Sequence, residues 1–194
     1  MHRSADRSKL TLVLSQFPGR PSIEVRLADG RVSGLKRLLP QLGDDERTIA
    51  LAQGLGQAAA ALEEAGNPAA ASEVYCSLVQ ILEATSRLLD RALCLRALGL
   101  TLKRAGRLEE AQAAYEKAVD LLRSPSTSFP DNETRTIELA GVLLNLTILA
   151  QARDRPDDRL TYGVWARQAV GEREGPRADQ IRKELDHLGF VVPR

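Results

Sequence analysis

The residue types that most often carry catalysis are sparse in this 194-residue chain and poorly grouped. Its two histidines, His2 and His187, lie near opposite ends of the sequence, and spacing alone joins them into no metal site. Cys76 and Cys94, the only cysteines, both fall within apolar helical patterns, where a thiol behaves as a small core hydrophobe in a reducing compartment. Adjacent carboxylates occur at Glu63-Glu64, Glu109-Glu110 and Asp157-Asp158. Each pair stands near a helix end or turn, where solvation and the helix dipole account for it better than acid–base catalysis does. Gly54-Leu55-Gly56 lacks the preceding strand of a phosphate-binding loop, and close helix packing is the simpler use of its glycines. Trp165, the sole tryptophan, has Tyr162 nearby; the pair suits either the core of a helical hairpin or an anchor for a partner. These residues point away from an enzyme and from any resident metal or cofactor.

Composition narrows the class further. A net charge of +1 gives no global field towards nucleic acid or a membrane surface, and an aromatic content of 4% leaves few platforms for stacking bases. Residues 1–10 are polar and charged, and the apolar run from Leu10 to Leu14 is far too short for a signal peptide or a membrane span. The expected location is therefore the cytoplasm, and the Asn-x-Thr matches at Asn132 and Asn145 are chance. Leu and Ala dominate the apolar residues, and both are strong helix formers.

Only the N-terminus breaks the helical pattern. Leu10, Leu12 and Leu14 alternate with Thr11 and Val13, and Ile23, Val25 and Leu27 alternate with Glu24 and Arg26. Period two predicts strands, and Phe17-Pro18-Gly19-Arg20-Pro21 between them is turn chemistry, so a β-hairpin is expected over about 9–28. Asp29-Gly30 makes a second turn with room for a short third strand at Arg31–Ser33, and Leu35–Leu42 reads as a short helix broken by Pro40. A lone hairpin is marginal in water. It must lie on the first helices, pair with a second copy, or add to a partner's sheet.

From Asp44 the period becomes 3.6. Asp44 is the expected N-cap of a helix that runs to Ala65 and stops at Gly66. Asn67-Pro68 opens the next helix, to about Ala84. Ser86 caps one that runs to Ala105 and ends at Gly106, and Leu108–Leu122 follows. After the loop Ser124–Asn132, helices are expected over Asp131–Arg153, Pro156–Val170 and Pro176–Leu188. Two domains result: 1–43, with the hairpin and short helix, and 44–194, mainly α.

Seven helices with short turns call for a search for repeats. In 92–125, Leu98-Gly99, Leu102, Gly106, Ala111, Tyr115 and Ala118 precede Pro125. Small residues at Gly99, Ala111 and Ala118 allow close helix approach, and Leu102 and Tyr115 fill the space between turns. This order resembles the tetratricopeptide repeat (TPR). Ala58-Ala59, Leu62, Gly66, Ala71 and Tyr75 within 52–85 are similar, with Leu78 in place of the last alanine. A degenerate third unit, 136–171, has Leu146, Ala150 and Ala166 but carries Asp154 in the turn and Arg159 for an alanine; 176–188 resembles a capping helix. The resemblance implies antiparallel helical hairpins stacked as a short solenoid, whose concave face is lined by the first helix of each pair.

On the helix from Ser86 to Ala105, Leu88, Ala92, Leu95, Leu98-Gly99, Leu102 and Ala105 form the stripe expected to be buried. Leu93, Arg96, Leu100, Lys103 and Arg104 lie on the other, with Asn145 and Ile148 on the corresponding helix of the next pair. Leucines among cations suit a partner segment that is acidic and apolar; the plainer alternative is a solvated face with Arg104 and Arg107 neutralised by Glu109 and Glu110. Arg96 and Asn145 match two positions of the family's carboxylate clamp, whereas Leu100 stands where an asparagine belongs and the other basic positions have no match. The resemblance implies a protein-binding adaptor or scaffold with no nucleic-acid or membrane partner. Its rival is a regulatory or sensor subunit of a larger system, such as a caspase-like protease or signalling complex. Self-association or strand pairing through the hairpin is a further expectation.

Overall fold

The computed structural model describes residues 39–125, 129 and 131–191 with their side chains, and before them the backbone of three strands at 9–14, 23–28 and 31–33. These strands are β1 (Lys9–Leu14), β2 (Ile23–Ala28) and β3 (Arg31–Ser33), antiparallel and in the order β1-β2-β3. Their register sets Leu10 opposite Leu27, Leu12 opposite Val25 and Leu14 opposite Ile23, so the apolar positions of the two longer strands meet one another. The turn expected at Phe17–Pro21 lies outside the described residues. Of the short helix expected over Leu35–Leu42, residues 39–41 form a single 3₁₀ turn, and 35–38 lie outside the described residues.

Seven α-helices follow among the described residues: α1 (Glu46–Glu64), α2 (Pro68–Glu83), α3 (Leu88–Arg104), α4 (Leu108–Arg123), α5 (Asn132–Ala152), α6 (Pro156–Val170) and α7 (Pro176–His187). The chain divides into two compact units, Met1–Arg87 and Leu88–Arg194, so the first helical pair goes with the strands. In the first unit α1 packs on α2, with β1 beside α1 and β3 beside α2. In the second, α3 packs on α4, α4 on α5 and α5 on α6; α3 also touches α5, and α7 lies against both α5 and α6.

The turns within the pairs share one hydrogen-bond scheme. Gly66 N–H donates to Glu63 O and Asn67 N–H to Leu62 O; Gly106 donates to Lys103 O and Arg107 to Leu102 O. Asp154 donates to Gln151 O and Arg155 to Ala150 O, and Gly189 and Phe190 repeat the pattern onto Asp186 O and Leu185 O after α7. Each satisfies carbonyls that the helix end would otherwise leave unpaired, and each requires a left-handed residue. Gly66 (φ +74) and Gly106 (φ +77) adopt that conformation freely, whereas Asp154 (φ +52) is the one non-glycine residue to adopt it among those described. The degenerate third turn thus keeps the geometry of the first two. Turns this short between packed helices make each pair antiparallel.

Two expected caps are corrected. Asp45, not Asp44, caps α1: its carboxylate accepts Thr48 N–H at 2.8 Å and the Thr48 hydroxyl at 2.9 Å. Asp44 instead accepts the backbone N–H of Ser86 at 2.9 and 3.1 Å, and α3 begins only at Leu88, so Ser86 is not its N-cap. The two residues read as separate caps bond to each other across one unit. Such a pairing over 42 positions leaves no local signature in the sequence.

Helical periodicity accounts for the core. Leu51, Leu55, Ala58, Ala59 and Leu62 of α1 and Ala71, Val74, Leu78 and Ile81 of α2 are buried at spacings of three and four. In the second unit Tyr115, Leu122, Leu143, Leu146 and Leu149 are wholly enclosed. On α7 the buried face is a single row, Ala178, Ile181 and Leu185, while most of its other positions face solvent. That pattern suits a helix covered on one side only. Gly56 does not sit at a tight crossing, since a side chain there would meet only Leu78 Cδ2 at 3.8 Å.

Candidate partner-binding face

All seven residues predicted to line a binding face fall in the second unit. Leu93, Arg96, Leu100, Lys103 and Arg104 lie on α3, and Asn145 and Ile148 on α5, two helices in contact. Arg104 is exposed and the other six are half-buried. Along α3, Leu93, Arg96, Leu100 and Lys103 recur at three- and four-residue steps and share one stripe. Its opposite side, Ala92, Leu95, Leu98 and Leu102, is buried as expected.

The link between the two helices is a residue the sequence reading passed over. Glu138 on α5 faces Arg96, with Oε2 3.6 Å from Arg96 Nε, and the two side chains keep 18% and 29% exposure. Neither of those two atoms makes a hydrogen bond among the described residues, although both are screened from solvent. A third such atom is Tyr115 Oη, whose side chain is completely buried. Burial pushes the Tyr115 phenol well above its ordinary pKa, against the opposing pull of the Arg96 and Arg104 charges. Glu138 was legible in one respect, because it stands seven residues before Asn145 and so on the same face of α5.

The remaining charges are mostly committed within the fold. Arg107 forms a two-point pair with Glu110, through Nε and Nη2, each at 2.7 Å, while Glu109 pairs with Arg153 at 2.9 Å. Asp158 pairs with Arg155 at 3.6 Å. Of the expected neutralisation of Arg104 and Arg107 by Glu109 and Glu110, the pairing of Arg107 with Glu110 is present. His187 Nδ1 lies 2.8 Å from Lys183 O, a contact within its own helix. Among the described residues no three His, Cys, Asp or Glu side chains gather as metal ligands. No helix among them is long and apolar enough to cross a membrane.

Trp165 belongs neither wholly to the core nor wholly to the surface. It is 39% exposed, with the Arg123 guanidinium 4.6 Å from its ring centroid and Tyr162 edge-on at 6.2 Å. Tyr162 donates its hydroxyl to Glu116 at 3.2 Å, so both aromatics tie α6 to α4. Leu160, 59% exposed, and Val164, 39% exposed, occupy the same helix and were not singled out from the sequence. A glycine at 163 admits the Phe190 ring, over which Arg159 lies at 5.1 Å, so Arg159 holds the C-terminal segment. Compared with known proteins, the chain matches no family model and no curated protein.

Proposed function

We propose that this chain is a protein-binding adaptor of the tetratricopeptide type, which holds a partner segment along the face shared by α3 and α5. The observation that carries this reading is the half-buried stripe Leu93, Arg96, Leu100 and Lys103 on α3, on a helix packed against the one that bears Asn145 and Ile148. Recurrence of one turn scheme after α1, α3 and α5 supports the repeat assignment. Apolar residues at partial exposure gain from being covered, at about 25 cal/mol per Å² of apolar surface. The cations between them set the partner's charge.

Because Glu138 offsets Arg96, the attraction for an acidic residue rests on the C-terminal end of α3, at Lys103. The partner is therefore an apolar segment with an acidic residue at that end. Reversing Arg96 is a poor test, since a glutamate there would face Glu138 and disturb the fold. Two surface variants of the full chain, Leu100→Glu and Lys103→Glu, are tested instead against peptides selected from a random display library. Loss of capture in both, with unchanged thermal unfolding, is the expected result. Capture unaffected by either variant would remove this face from consideration and turn attention to the edge of β1.

A further inference from the structure

The half-open stripe of α5 is interrupted at one position. Glu138, Asn145 and Ile148 are half-buried and follow one another by seven and three residues, which sets them on one side of the helix. Gly141 belongs to the same stripe, three residues after Glu138 and four before Asn145, yet it is buried. What covers it is Arg177, from the first turn of α7. A Cβ at Gly141 would lie 2.9 Å from Arg177 Nη2 and 3.7 Å from Cζ, so only a bare backbone there lets the guanidinium lie against α5. Ile181, one turn further along α7, reaches the same place and is fully buried, whereas Arg177 stays half-buried. The arginine therefore ends the buried row of α7 and stands on the face that carries Asn145 and Ile148.

The fold makes little use of its charge. Among the described residues the one polar contact of Arg177 is from Nη1 to Gln180 Oε1 at 3.4 Å, a long hydrogen bond to a neutral group. A cation in the first turn of a helix also gains nothing from the helix dipole. Glu138 already stands opposite Arg96, which leaves Lys103 and Arg177 without a carboxylate partner among the described residues. We infer that Arg177 contacts the partner and receives a second acidic side chain, Asp or Glu, of the segment held on α3 and α5. This rests on the groove reading above and extends it across α5 to α7. A guanidinium offers a carboxylate two parallel N–H groups, and the pairing would displace only the long contact to Gln180. A basic residue of the partner would be repelled at this place, and a neutral one would leave the charge unmatched.

The test is display selection of random dodecapeptides on the full chain, followed by titration of the Leu100-dependent ones against Arg177→Gln and Arg177→Lys. Asp or Glu is expected at two fixed positions, one sensitive to Lys103→Glu and the other to Arg177→Gln. Arg177→Gln should weaken these peptides roughly tenfold, as for a lost hydrogen bond to a charged group, and flatten their salt dependence. Changing the second acid to its amide should weaken binding to the parent by a similar factor and to Arg177→Gln no further. Arg177→Lys keeps the charge and should keep the preference for acid over amide. Both variants leave a long side chain over Gly141, and the acid-to-amide comparison is made within each variant, so a merely structural role would not reproduce it. Equal weakening of acidic and amide peptides by Arg177→Gln, or no weakening of either, would overturn the assignment and leave the groove standing. So would a preference lost as fully in Arg177→Lys as in Arg177→Gln. Failure to select any peptide sensitive to Leu100→Glu would overturn both.

Discussion

Gly99 on α3 and Tyr115 on α4 are in direct contact, and only the absence of a side chain at position 99 allows it. A methyl group at Gly99 would lie 2.5 Å from Tyr115 Cε1, 2.7 Å from Cδ1 and 2.8 Å from Cζ, well inside van der Waals distance. The ring, itself completely buried, cannot yield without disturbing the pair of helices. Gly99→Ala is therefore expected to destabilise the second unit by about 1–3 kcal/mol, despite alanine's better helix propensity, and Gly99→Leu by more. Urea unfolding measures both. Combining Gly99→Ala with Tyr115→Leu should cost less than the sum of the single changes, because the smaller side chain relieves the clash.

The same device recurs near the C-terminus with a different partner. A side chain at Gly163 would overlap the Phe190 ring, and Arg159 both covers that ring and donates to Leu188 O. Gly163→Ala should release the segment after α7 while leaving α3 and α4 intact. Hydrogen exchange resolved by segment would show faster exchange at Gly189 and Phe190 and little change at Gly99. Uniform loss of protection would mean that Phe190 is part of the main core.

The element pattern was legible because periodicity and punctuation are local. Asn67-Pro68, Gly66 and Gly106 stand where helices start and stop, and the bounds of α6 are those read from Pro156 and Val170. Gly99 was legible as a place of close helix approach and Tyr115 as a residue that fills space between helices, but not that the two meet. What escaped is what depends on distance in the chain. The Asp44–Ser86 bond, the Arg153–Glu109 pair and the Arg96–Glu138 bridge each join residues about 40 apart. Charged residues at helical spacing look the same from sequence whether they face water or one another. That Leu93, Arg96, Leu100 and Lys103 share one half-buried stripe could be read; the carboxylate opposite Arg96 could not, because Glu138 sits on a different helix.

One acid-sensitive cap follows from the geometry at the start of α5. Asp131 accepts Thr134 N–H at 2.5 Å and the Thr134 hydroxyl at 2.8 Å, and the backbone bond foremost holds its carboxyl below the ordinary value. A depressed folded pKa means that the cap's contribution is fully present above the unfolded value, about 3.9, and is lost as pH falls through the folded one. Asp131→Asn keeps an N-cap acceptor but removes the titration. Its acid unfolding curve should be flatter than the parent's below about pH 4, with little difference at pH 7. Parallel curves would mean that α5 gains no pH-dependent stability from this cap.

The strands provide the last test, because they pack within one unit only. β1 lies beside α1 and β3 beside α2, so these helices lose covering elements when the strands are removed. The second unit has its own enclosed side chains, including Tyr115, Leu143, Leu146 and Leu149. Deleting residues 1–33 should therefore accelerate amide exchange across α1 and α2 far more than across α4, α5 and α6. Local opening follows the contacts that each segment keeps. The comparison also bears on the edge of β1, which no strand covers among those described. Exposed edges pair with other strands, so light scattering on the full chain and the truncated one reads the same deletion from outside. If the full chain associates and the truncated one does not, the edge has a partner in a second copy. If both are monomeric, while α1 and α2 lose protection, the strands serve the first unit alone. Equal loss of protection in all seven helices would show instead that the two units unfold as one.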